Sequence, residues 1–146
     1  GKTTPGEVTL SGISFKTSQY AVRDQRYFDH WLPSVRIGAG MEIAESDEGG
    51  LARQYAGGVL LTDEKLASLG ITEKQIIDQL KAFIGNLGGA TRLFEDCGPI
   101  TDGPWTYEFR VLERDPDLDL VITKETILYD GTKIFVHRFQ TLPIKK

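Results

Sequence analysis

Residues 70–89, GITEKQIIDQLKAFIGNLGG, constrain the fold of this chain more than any other stretch. Ile76, Leu80, Phe83 and Leu87 recur at helical spacing, and Ile77 and Ile84 widen the same stripe. Thr72 followed by Gln75 has the form of a capping box, and Ile71 with Ile76 the form of a hydrophobic staple. Gly88 and Gly89 supply the stop. The spacing predicts a helix over about 73–87. A helix with a one-sided apolar stripe needs a surface to bury it, and the remaining chain reads mostly as strands.

Before the helix, residues 7–15 read as one strand with Gly12 as a bulge. Residues 24–32 carry Tyr27, Phe28, Trp31 and Leu32 and read as a short helix capped by Asp24 and ended by Pro33. Residues 35–45 alternate as a strand, 46–50 turn, and 51–61 return. Thr62 starts a short helical turn that Gly70 ends. After the helix, 90–94 read as a short strand and 96–104 as a loop. Residues 105–112 then form an alternating strand. Asp130-Gly131 is a two-residue hairpin turn between 118–129 and 132–141. Its register sets Glu125 opposite Val136, Thr123 opposite Arg138 and Lys124 opposite His137.

The expected architecture is α+β: a curved antiparallel sheet with one long helix on one face and one or two further short helices. In element order alone this resembles PsbP-type sheet-and-helix sandwiches and helix-grip folds; no motif ties the chain to a family. The 146 residues suit a single domain over 7–146, with 1–6 as a linker. The chain opens Gly1-Lys2-Thr3-Thr4 without Met. The expectation drawn from this is a protein whose targeting segment has been removed, exported to the periplasm or lipid-anchored outside the cytoplasm, with a cytoplasmic location as the alternative.

The net charge of −4 argues against nonspecific nucleic-acid binding. No apolar run is long enough for a transmembrane helix. The single cysteine, Cys97, lies beside two carboxylates, which oppose thiolate formation. There is no phosphate loop, nucleophile elbow or zinc-ligand spacing, so no cofactor, metal or catalytic residue is expected.

The candidate binding residues are Tyr27, Phe28, His30, Trp31, Trp105, Tyr107, His137 and Arg138. Aromatic rings interleaved with charges suit an interface or a ligand-binding rim. His30 follows Asp29, but sequential neighbours point their side chains apart. His137 is set across from Lys124, which disfavours a protonated ring. Glu125, Thr123 and Arg138, with Glu108 and Arg110, are expected to form a charged solvent-facing β-surface. The function these features suggest is a non-catalytic, exported binding or accessory module with a protein or envelope partner. One alternative is a small-ligand-binding protein or enzyme with a pocket between helix and sheet. The other is a protein–protein inhibitor or immunity-type factor.

Overall fold

The computed structural model describes residues 3–33, 36–88 and 92–146. Predictions for Gly1, Lys2, Val35, Gly89, Ala90 and Thr91 lie outside the described residues. The molecule is mostly strand: β1 (Thr4–Leu10), β2 (Ile13–Val22), β3 (Gln25–Trp31), β4 (Ile37–Ser46), β5 (Gly49–Val59), α1 (Asp63–Ser68), α2 (Glu73–Leu87), β6 (Cys97–Asp102), β7 (Trp105–Asp115), β8 (Leu120–Tyr129) and β9 (Thr132–Lys145). The strands form one antiparallel sheet in the order β1-β2-β3-β4-β5-β9-β8-β7-β6. The first five strands and the last four are thus each a meander. The β5–β9 pairing joins them, from Gly49 opposite Lys145 to Val59 opposite Phe135.

Three sequence expectations are corrected in the first meander. The strand at 7–15 is a hairpin, because Ser11 and Gly12 both take positive φ and reverse the chain. Thr4–Gly6, expected as linker, pair with Gln19–Thr17. The short helix at 24–32 is instead β3, and Arg23, at φ 57°, turns the chain into it. Aromatic and alternating residues favour a strand once two neighbouring strands flank them. In the second meander, the expected loop at 96–104 contains β6, an edge strand on β7. Of the strand expected at 90–94, the described residues 92–94 are bends.

The helices begin and end where their caps place them. Thr72 accepts from the Gln75 backbone N–H at 3.2 Å, and the Gln75 side chain accepts from the Thr72 N–H at 2.8 Å. Gly88, at φ 82°, closes the C-terminus with its N–H on the Ile84 carbonyl. Ile76, Leu80 and Phe83 are buried in one cluster with Leu66, Ile71, Tyr107, Phe109, Ile127 and Phe135. Phe83 stacks on Tyr107 with ring centroids 5.4 Å apart.

The Asp130-Gly131 turn forms, with both residues at positive φ. The register beyond it differs from the expected one. Tyr129 opposes Thr132 and Leu128 opposes Lys133, but Ile127 then opposes Phe135. Ile134 is the extra residue of a β-bulge, and both it and Phe135 are buried. One inserted residue exchanges the faces of everything beyond it. His137 therefore lies opposite Glu125, and Arg138 opposite Lys124.

Candidate functional site

Cross-strand partners share a face, so the register assigns each side chain to one of two faces. One, the Tyr107 face, carries Phe109, Thr123, Glu125, Ile127, His137, Phe139, Tyr55, Arg53, Glu42, Asp29 and Tyr27. The charged surface expected around Glu125 does not form, because Glu125 and Thr123 are buried on this face while Arg138 lies on the other.

Glu125 is 0% exposed. Burying a carboxylate is costly unless it is paired and hydrogen-bonded. Here Arg92 grips it with two bonds, Nε to Oε2 at 2.7 Å and Nη2 to Oε1 at 2.8 Å. The Tyr107 hydroxyl donates to Oε2 at 2.7 Å, and His137 Nδ1 lies 3.1 Å from Oε1. Burial alone would raise the Glu125 pKa. The bonds from His137, Arg92 and Tyr107 outweigh it and hold the carboxyl at about 2. An ionised Glu125 only accepts, so His137 Nδ1 carries the hydrogen. Burial and the same carboxylate push the Tyr107 hydroxyl upward, keeping it a donor.

A second polar group adjoins the first. The Tyr55 hydroxyl donates to Asp29 Oδ1 at 2.7 Å. To reach from β5 to β3 it crosses β4 at Gly40, where a Cβ would overlap the hydroxyl. Burial raises the Asp29 pKa and the nearby Glu42 charge adds to it, against the Tyr55 hydrogen bond, which lowers it. Glu42 accepts from the Tyr27 hydroxyl at 2.7 Å and pairs with Arg53. Arg53 also donates to the Arg92 carbonyl at 3.1 Å. The guanidinium carbons of Arg53 and Arg92 lie 4.5 and 5.5 Å from the Phe139 ring centroid, so this aromatic side chain ties the two groups together.

Between these groups and the first turns of α2 is a cleft of about 350 Å³. Asp29, Trp31, Arg36, Tyr55, Glu73 and His137 border it, with Gly38 and Gly57 among the lining residues. A side chain at Gly57, at φ 142°, would overlap the Val136 carbonyl, so β5 and β9 approach closely here only without a Cβ. Glu125 holds His137 through Nδ1. Nε2 has no partner among the described residues, and His137 lines the cleft. A carboxylate that fixes one ring nitrogen sets the tautomer and orientation of the other. The cleft can therefore hydrogen-bond a ligand through His137, Tyr55 and Asp29. None of its described lining residues is a Ser, Thr, Cys or Lys, the usual covalent nucleophiles. Among the described residues no group of three or more His, Cys, Asp or Glu is placed to hold a metal.

The structure divides the eight candidate residues between several places. Tyr107 and His137 meet on Glu125. Trp31 borders the same cleft, and Tyr27 joins the adjacent Glu42–Arg53 pair. Trp105 packs edge-on against Tyr129, centroids 4.8 Å apart. Phe28, His30 and Arg138 are on the opposite face, where His30 and Arg138 line a separate trough. Sequence reasoning missed Asp29 as a partner of Tyr55, along with Glu42, Arg53, Arg92 and Glu125. Glu125 had a signal: it shares the parity of Val121 and Ile127 on β8, where a carboxylate among core positions demands a partner. Arg92 had none, since it comes from an irregular segment. No family model matches the chain, and the curated proteins and solved structures give no match either.

Proposed function

We propose that this protein is a non-catalytic binding module that takes a small polar ligand in the cleft between the sheet and the start of α2. The observation that carries this is His137, anchored through Nδ1 by buried Glu125 while Nε2 stays unpartnered at a cleft shared with Asp29, Tyr55 and Trp31. The volume is at the lower end of the range for small-ligand sites, which combine a few placed polar groups with aromatic walls. The reading takes α2 as lying along the Tyr107 face of a curved sheet, supported by the Phe83–Tyr107 stack. None of the described lining residues is a Ser, Thr, Cys or Lys, and the lining carboxylates, Asp29 and Glu73, are read here as ligand-binding groups.

The test is a screen of small polar compounds by NMR, following the amides around Gly57 and Tyr55. At least one compound should shift these signals, and His137→Ala should weaken its binding about tenfold. If no compound perturbs the cleft, or if binders ignore His137→Ala, the reading fails. Conversion of a bound compound over time would replace it with an enzymatic one.

A further inference from the structure

The face opposite Tyr107 carries a second, larger concavity of about 670 Å³. It crosses six neighbouring strands, from Phe15 on β2 to Ile122 on β8. At about 4.8 Å per strand the span is roughly 24 Å, the reach of an extended long-chain fatty acid. Small side chains, Ala39 and Ala56, lie along its floor beside Met41. At one end Phe15 and Leu32 make an apolar wall beside His30, whose ring lies 5.4 Å from Phe15 and 5.5 Å from Phe28 and whose buried Nδ1 has no partner among the described residues. Gln140 Nε2 donates to Gln54 Oε1 at 3.5 Å.

The charge distribution says what fits. The chain is acidic overall, yet none of the described residues lining the trough is an Asp or Glu. Its one charged lining residue is Arg138, and Lys124 is the cross-strand neighbour of Arg138. Neither cation has an ion pair or side-chain hydrogen bond among the described residues, whereas Arg26, Arg53, Arg92, Arg110 and Arg114 are all paired. A cationic end, an apolar floor and an aromatic far wall complement an amphiphile with an anionic head.

We propose that this trough binds a long-chain fatty acid, with its carboxylate at Arg138 and Lys124 and its alkyl chain running over Ala56 and Ala39 toward Phe15. The trough opens on the other face of the sheet from the cleft, shares Leu32, Ala39 and Tyr55 with its lining, and is proposed independently of a ligand there.

Calorimetric titration of the whole chain with palmitate, below its aggregation limit, tests the proposal. Palmitate should bind one to one. Acetate, the head without the tail, and hexadecyltrimethylammonium, the tail with a cationic head, should not compete with it. Arg138→Glu should weaken palmitate binding about tenfold or more. Ala56→Trp, at an exposed floor position, should abolish it while circular dichroism stays unchanged. His137→Ala should leave palmitate affinity as it is, which separates this site from the cleft. The proposal is overturned if palmitate does not bind, if the cationic amphiphile displaces it with equal affinity, or if binding survives Ala56→Trp. It is equally overturned if the protein is a stable dimer that closes the trough.

Discussion

At the scale of single residues, Glu125 decides most. It is the carboxylate on which Arg92, Tyr107 and His137 converge, and it is fully buried. Removing one member of a buried pair leaves the other charge uncompensated. Glu125→Leu should therefore destabilise the protein by about 3–5 kcal/mol in urea unfolding. Adding Arg92→Met to that variant should recover part of the loss, since no buried guanidinium is then left without a partner. If the double substitution is less stable than the single one, the pair is not the organising contact. The sequence contained a hint here, because Glu125 falls among Val121 and Ile127 on alternate positions. What it did not contain was the partner: Arg92 is 33 residues away in a segment with no periodicity.

At the scale of elements, α2 was legible and β3 and β9 were only partly so. Local signals define a helix whose cap, stripe and stop all lie within twenty residues, and Thr72 to Gly88 satisfy them. Thr72→Ala should cost about 1 kcal/mol of stability by removing the capping acceptor, with Thr72→Ser close to neutral. A thermal or urea midpoint unchanged in Thr72→Ala would refute the cap's contribution. β3 looked helical because Tyr27, Phe28, Trp31 and Leu32 fit a helical face as well as an alternating one. Pairing with β2 and β4 on both sides resolved the ambiguity. It also split the aromatic segment, sending Tyr27 and Trp31 to one face and Phe28 and His30 to the other. In β9, the turn residues fixed the first two pairs correctly. The bulge at Ile134 then reversed the faces, so that His137 met Glu125 and not Lys124.

At the scale of the whole molecule, the buried network links stability to pH. The Glu125 carboxyl is held at about 2 in the folded protein against an ordinary value of 4.5. A group with a lowered folded pKa adds stability that is complete above its unfolded value and is lost as pH falls through the folded one. The difference corresponds to about 3 kcal/mol, present above about pH 4.5 and lost progressively toward pH 2. Unfolding free energy measured between pH 6 and 2 should fall along this limb, and Glu125→Gln should flatten it. An identical acid limb in Glu125→Gln would assign the loss to other carboxylates. No helix among the described residues is long and apolar enough to cross a membrane.

The sequence by itself determined the helix, the alternation of most strands, the tight turn at Asp130-Gly131 and the antiparallel character of the sheet. These are local properties, set by spacing and turn chemistry within a few residues. The tertiary structure alone decided which strand joins the two meanders, where the bulge falls and which charges meet. The β5–β9 pairing, the reach of Tyr55 over Gly40 to Asp29 and the closure of Arg92 on Glu125 all join residues more than twenty positions apart. Contacts of that kind depend on register and burial across the whole sheet, and neither can be read from local sequence spacing.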